Sequence, residues 1–462
     1  MKVHLVSVWV TLAVGSAGCR SKEPAPPAKS STPPQQPPSI VSTRTSTSAP
    51  RTETPARPPE TTTSATLILP IGFTATLFAV VEGTARHLAV RDNGDVYVRL
   101  WESQDGKATV GLRDENGDGK ADLVERFGEK DQVGTGIAIR NGYLYFSSDT
   151  AIYRTKLNPR SLVPTDDTET VVSGFPNQSG HTAKPITFDE QGALYVNIGA
   201  PSNACQIKPR SPGSPGRLPC DQLEHHGGIW RFPPDRTGLD VSQGTRFASG
   251  TRQIVALEFN PMTKKLYAVQ HGRDQLHQLF EQFYTERDSA ELPSEELLLL
   301  NEGFVGGWPY TYYDHRRNAR MLAPEYGGDG KKEAEPGKYP DPLYAFPGHY
   351  APNDLVFYEG KTFPERYHGG AFIAFHGSWN RAPLPQKGYQ VAFVPFKGDR
   401  PSGPAEIFAD GFAQRVPLDQ PGNAAHRPTG VAVAPDGALF ISDSKAGHIW
   451  RVAYHPDKAH VR

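Results

Sequence analysis

Four short clusters in this chain carry side chains able to do chemistry, and each stands at the edge of an apolar strand. Ser179-Gly180-His181-Thr182-Ala183-Lys184 runs directly into PITFDEQGALYVNIG, which is followed by Ala200-Pro201-Ser202-Asn203. An imidazole placed just before a strand can accept a proton near neutral pH, so His181 is the candidate base. Gln270-His271-Gly272-Arg273-Asp274 ends the strand LYAV, where the glycine lets backbone approach a ligand or turn its carbonyls toward a cation. Arg273 brings a planar fork suited to carboxylates. His376-Gly377-Ser378-Trp379-Asn380-Arg381 follows the apolar run AFIAF, and His426-Arg427-Pro428-Thr429 precedes another strand. Lys184, Arg273, Arg381 and Arg427, if the fold converges them, suit a small polyanion.

A fifth motif is of a different kind. The run 114–125, DENGDGKADLVE, places oxygen ligands at loop positions 1, 3, 5 and 12, the pattern of a calcium loop. Asp114, Asn116, Asp118, Glu125 and the Lys120 carbonyl are the expected ligands of a structural calcium; an Asp/Gly turn between strands is the plainer reading. His225-His226 makes a poor zinc site, because adjacent residues of an extended strand face opposite ways.

The elements that must position these clusters repeat. An alternating strand, a tight turn and a second alternating strand carrying Tyr or Phe recur at 87–98, 136–147, 185–199, 256–269, 355–377 and 431–443. Each copy is a β-hairpin signature, and six of them spaced along the chain imply radial repetition. The expected fold is all-β, a six-bladed β-propeller over residues 66–457, with functional groups in loops at one end of a central channel. Glu295-Glu296-Leu297-Leu298-Leu299-Leu300 reads as a blade strand introduced by acidic residues.

Composition sets the surroundings. In 462 residues, 49 Lys+Arg against 50 Asp+Glu give a net charge of −1, which argues against a nucleic-acid partner. Residues 1–19 read as an export signal: Lys2, an apolar run from Val6 to Val14 too short to span a bilayer, then Gly15-Ser16-Ala17-Gly18 before Cys19. Small residues before a Cys resemble a lipobox, so Cys19 is the expected lipid attachment point, with an ordinary cleaved signal as the alternative. The expected location is periplasmic or cell-envelope. Residues 20–65, rich in Pro, Ser and Thr, read as a disordered linker, either a tether or a partner-binding tail. Cys205 and Cys220 remain, and in an oxidising compartment an even pair is most simply a disulfide; a two-Cys metal site is the rival.

Taken together, HTAKPITFDEQGALYVNIGAPSNAC, VQHGRD, LPSEEL, GGWPY, HGSWNR, PQKGYQV and RPTGVAVAPDGALFISDSKAGHIWRV resemble the soluble sorbosone/glucose dehydrogenase family. That resemblance spans about Leu67 to Tyr454. It implies a six-bladed propeller that oxidises sugars with pyrroloquinoline quinone (PQQ) held by calcium. It further implies His181 as general base, Arg381 and Arg427 near the cofactor carboxylates, and Glu295 and Asn203 beside the cofactor. Gly272 and Arg273 match the place where backbone carbonyls bind the cofactor's calcium. The pattern departs from the glucose-oxidising branch at Ser202, where an Arg is expected, and at Gly180, where an acidic residue is expected. Lys184 stands where the sorbosone branch has Arg. The substrate implied is a sugar, sugar aldehyde or polyol, with electrons passed to a separate acceptor because the chain has no Cys-x-x-Cys-His. Two other classes fit a propeller: a non-catalytic glycan- or partner-binding module, and a metal-dependent lactonase-type hydrolase.

Overall fold

A computed structural model describes residues 54–459 except 59, 60 and 65. The export signal, Cys19 and most of the linker lie outside the described residues. Six blades follow one another around an axis, each with four antiparallel strands that in all but one blade come in chain order; blades 2 and 3 add a short parallel fifth strand, Leu239–Asp240 and Phe304–Val305. Their first strands are Ala85–Val90, Ile137–Arg140, Ile186–Phe188, Ile254–Asn260, Pro352–Phe357 and Pro428–Val433. Each touches the first strand of the next blade, and the sixth touches the first, so these strands form a closed ring around the channel. All six hairpins expected from the sequence are the first and second strands of the six blades, and Glu295–Leu300 is the third strand of blade 4.

The exception is blade 6, whose outer strand is Phe73–Val80 from the start of the domain, paired with His448–Tyr454. Strands from the two ends of the propeller thus close one blade, which removes the open edge that an unclosed ring would leave. Phe73 fixes the closure by packing edge-on against Phe363 (4.7 Å) and Phe408 (5.0 Å) of blade 5. The ordered part begins earlier than the expected boundary at 66. Thr61–Ser64 pairs with Leu67–Pro70, Ala56 bridges to Glu406, and Arg57 forms an ion pair with Asp410.

Each blade buries apolar side chains on both faces, so the second strands of blades 3, 5 and 6, Leu194–Ile198, Ala371–Phe375 and Leu439–Asp443, are buried throughout. Polar side chains collect where the strands end. In four blades the ladder slips at the beginning of the first strand, between Ala85/Leu88, Ile254/Ala256, Pro352/Asp354 and Pro428/Gly430. Such bulges bend a strand and re-aim its side chains. They all sit at the same end of the channel, with the clusters around His181, His271, His376 and Arg427.

Candidate functional site

His181 sits just ahead of the first strand of blade 3 in a left-handed conformation, φ +56°. That conformation is uncommon for a residue with a side chain and marks a position held by its surroundings. Gly199 makes it possible: a Cβ there would lie 2.6 Å from the His181 carbonyl oxygen and 2.8 Å from its Cβ. The ring donates Nδ1–H to the Ala200 carbonyl at 2.6 Å, and Nε2 has no hydrogen-bond partner among the described residues. Burial first, then the Arg252 charge, pushes the imidazole down to about 3. It is therefore neutral, with its basic nitrogen free.

Arg252 is the functional residue that sequence reasoning missed. It stands immediately before the first strand of blade 4 and is almost wholly buried. Its guanidinium donates to the Gly272 carbonyl (2.9 Å), to Asn203 Oδ1 (3.1 Å) and to Asp274 Oδ2 (2.8 Å). Gln253 beside it accepts from Asn197 Nδ2 at 3.0 Å. The signal was available: Thr251-Arg252-Gln253 precedes IVALEF as HTAK precedes ITF and HR precedes PTGV.

On the other side of the mouth, Thr84, Arg86, Trp101, His376, Arg427, Ser444 and Lys445 enclose a cavity of about 260 Å³. Two guanidiniums and an ammonium line it, with no carboxylate among the lining residues. Arg86 lies over Trp101 at 4.7 Å. Burial, then the nearby Arg427, pushes Arg86 down to about 10. Asp149 and Asp443, which do not line the cavity, offset part of this charge, acting on Arg86 and Arg427 respectively. Arg427 donates to the carbonyls of His376 (3.2 Å) and Gly377 (2.5 Å), and His376 Nε2 lies 2.7 Å from Ser444 Oγ. The two halves are electrostatically continuous. Arg252 acts on His181 and His271, and Arg86 acts on His271 and His376.

The structure sorts the remaining sequence candidates. His181, Gly272 and Arg427 share this mouth. Arg273 instead forms a buried ion pair in which Nη1 donates to both carboxylate oxygens of Glu325 (2.6 and 2.5 Å). Arg381, also buried, donates to Ala290 O (2.7 Å), Gly348 O (3.1 Å) and Glu291 (2.6 Å). Both guanidiniums are thus spent on internal partners. Glu295 accepts from Gly272 N (2.8 Å) and Ala351 N (3.2 Å), and burial pushes it up to about 7. Asn203 makes a closed set of contacts with Arg252 and Asp274. Lys184 is fully buried, donates to Thr182 O at 2.7 Å, and is pushed down to about 8 by that burial.

Away from the mouth, Cys205 and Cys220 form a disulfide, so the sulfurs that with Asp221 make a metal-like group carry no thiolate. In the 114–125 loop, Asp114 accepts from Gly117 N (2.7 Å) and Gly119 N (2.8 Å), Asn116 from Asp118 N (2.9 Å), and Asp118 from Lys120 N (2.9 Å). Asp122, not Glu125, closes the loop by accepting from Glu115 N (2.7 Å) and Asn116 Nδ2 (3.0 Å). Glu125 is an exposed residue of the outer strand, opposite Gly111. A larger cavity, about 690 Å³, occupies the far end of the channel. Six carboxylates line it, among them the buried Glu258 and Asp354, both raised by burial, and it holds none of the groups described above.

The fold defines the chain as a six-bladed β-propeller with its polar clusters at one channel mouth, and comparison with known proteins gives its family. Residues 68–305 and 330–455 match the TrAA12-like family model, and the chain belongs to that family. It is 27% identical over 288 residues to an uncharacterised protein of Borreliella burgdorferi, covering 60% of this chain and 62% of that protein. It is 27% identical over 194 residues to a pyrroloquinoline quinone-dependent pyranose dehydrogenase of Coprinopsis cinerea, covering 34% of this chain but only 24% of that one. The chain thus spans less than two thirds of the curated relatives it matches. Among solved structures, the calcium structure of a Trichoderma reesei enzyme of carbohydrate-active family AA12 superposes with TM-score 0.67 at 19% identity, covering 84% of this chain and 97% of that one. The holo PQQ domain of the Coprinopsis cinerea pyranose dehydrogenase gives 0.66 at 17%, covering 86% and 98%. These two similarities establish the shared fold.

Proposed function

We propose that this chain is a PQQ-dependent dehydrogenase of a sugar, sugar aldehyde or polyol. The observation that carries the reading is the pairing, at one channel mouth, of a base with a free nitrogen and a cavity lined by three cationic side chains and no carboxylate. PQQ is a trianion, and Arg86, Arg427 and Lys445 would hold its carboxylates through charge-assisted bonds. The repulsion between Arg86 and Arg427 that Asp149 and Asp443 leave is what such a ligand would relieve, so the residues present fit it. Calcium fits in part. The Gly272 carbonyl keeps one lone pair beside that used by Arg252, and the Arg273 carbonyl is the second candidate donor. Two carbonyls do not complete a calcium shell, so the ion would depend on the bound anion for further ligands.

When bound, PQQ would supply a two-electron quinone acceptor. Nε2 of His181 would take the proton of a substrate hydroxyl, and the carbon that bears it would be the one oxidised to a carbonyl. Ala200 fixes the ring tautomer, and burial, aided by the Arg252 charge, keeps the resting imidazole neutral. Trp379, 56% exposed on the rim, offers an apolar face to a sugar ring. Export, a periplasmic or envelope location, a lipid anchor at Cys19 and a separate electron acceptor belong to the same reading, and the Cys205–Cys220 bridge suits an oxidising compartment.

The test is reconstitution of the purified protein with PQQ, with and without Ca²⁺, followed by absorbance and a panel of aldoses, aldonic aldehydes and polyols with an artificial acceptor. Saturable PQQ binding with substrate-dependent bleaching of the acceptor is the expected result. Absence of PQQ binding at micromolar concentrations in the presence of Ca²⁺ overturns it.

A further inference from the structure

The segment 200–205 touches the site from behind at several points. Ala200 accepts the ring Nδ1–H of His181 at 2.6 Å, while its own N–H donates to the Arg252 carbonyl at 2.7 Å. Asn203 takes the Arg252 guanidinium twice, through its backbone oxygen (3.3 Å from Nε) and Oδ1 (3.1 Å from Nη2). It also exchanges two bonds with Asp274, receiving the backbone N–H at 2.8 Å and donating Nδ2–H to the carbonyl at 2.9 Å. Trp308 Nε1 donates to the same Asn203 carbonyl at 3.1 Å. Two residues on, Cys205 is fully buried with φ +50°, and its sulfur is bonded to Cys220, whose N–H donates to Tyr310 Oη at 2.9 Å. Ser202 donates to Gln222 at 2.6 Å and accepts from Cys205 N at 3.0 Å.

This chain segment has no regular secondary structure of its own. A segment that sets an imidazole tautomer and receives a buried guanidinium must be fixed by something, and here the fixings are Asn203 and the bridge. We propose that Asn203 and the Cys205–Cys220 disulfide are positioning residues that hold Ala200 against His181 and Arg252 against Gly272. His181 is thereby kept as the Nδ1–H tautomer with Nε2 free. The inference rests on the dehydrogenase reading for its kinetic consequence but not for its structural one. Displacing a base by about an ångström can cost 10²-fold in rate without changing what binds.

The experiment uses the exported protein labelled with ¹⁵N-histidine, in four forms: wild type, Cys205→Ser/Cys220→Ser, Asn203→Leu and Asn203→Asp. Long-range ¹H–¹⁵N spectra report the His181 tautomer, assigned by the signal lost in His181→Gln, and PQQ titration and steady-state kinetics are run alongside. A single Nδ1–H tautomer is expected in wild type and in Asn203→Asp, which retains the oxygen that accepts from Arg252. Mixed tautomers are expected in the other two, with kcat down about 10–100-fold, KM within about 3-fold and most of kcat recovered in Asn203→Asp. If the serine pair fails to fold, the Asn203 variants, with the bridge intact, carry the test. A wild-type tautomer and wild-type kcat in Asn203→Leu overturn the proposal while leaving the dehydrogenase reading intact. The tautomer change without sugar oxidation in any form supports the positioning role and sinks the dehydrogenase reading instead.

Discussion

Single side chains divide here into those aimed at the channel mouth and those committed to the scaffold, and mutation separates the two. His181→Gln removes the free nitrogen but no cation, so kcat is expected to fall about 10²–10⁴-fold. PQQ affinity should change little; equal turnover in variant and wild type would remove His181 from the chemistry. Arg86→Ala and Arg427→Ala each delete a charge-assisted contact and are expected to weaken PQQ binding about 10-fold or more. Arg273→Ala is a different kind of change, because its partner Glu325 is fully buried in the ion pair. Leaving that carboxylate alone is expected to cost about 3–5 kcal/mol of stability, read from denaturant unfolding. The types of residue at this mouth were legible in the sequence; their partners were not. Arg273 and Arg381 look like anion ligands until Glu325 and Glu291, far along the chain, are brought to them. Arg252 was overlooked for the converse reason: its place before a first strand matches that of His181 and Arg427, but no neighbouring motif draws attention to it.

Elements were easier to read than partners, because strand alternation and Asn/Asp-Gly turns are local signals while ion pairs are not. Each of the six hairpins proved to be the inner half of a blade. The outer strands were less legible: Thr61–Ser64 falls in a stretch whose composition reads as linker, and its order comes from pairing with Leu67–Pro70. Ring closure depends on the outer strand of blade 6, and Phe73 is its anchor. Phe73→Ala opens a cavity among Phe363, Tyr367 and Phe408 and is expected to cost about 3–5 kcal/mol. Chemical denaturation should show the loss in the midpoint with an unchanged slope. The 114–122 loop makes a similar point at smaller scale. Spacing selects Glu125, whereas the folded loop is closed by Asp122. Calcium titration by thermal shift should therefore respond to Asp122→Ala and be indifferent to Glu125→Ala.

For the molecule as a whole, a ring of blades around a narrow channel buries ionisable groups of both kinds, and their linkage to pH has opposite signs. Burial pushes His87 and His181 down to about 3 and His271 to about 4. The unfolded chain, with imidazoles near 6.5, binds more protons than the fold below that pH. Stability from these groups is therefore present above about 6.5 and lost as pH falls toward 4 and 3. The buried acids act the other way. Burial pushes Glu295 up to about 7 and Asp354 to about 8, so the fold favours their protonated forms. Their contribution is present below the unfolded values near 4 and is lost as pH rises through 7 to 8. Between about 4 and 6.5 the two sets oppose each other; above 6.5 the imidazoles no longer change and only the acids do. Thermal stability should accordingly peak on the acid side of neutrality and decline between about pH 6.5 and 8. Asp354→Asn, which keeps an acceptor oxygen for the Val431 N–H but cannot ionise, should flatten that alkaline limb. Calorimetric scans from pH 4 to 8 at constant ionic strength decide it. A midpoint that climbs steadily to pH 8 would show that the channel acids ionise freely in the fold and do not govern its stability.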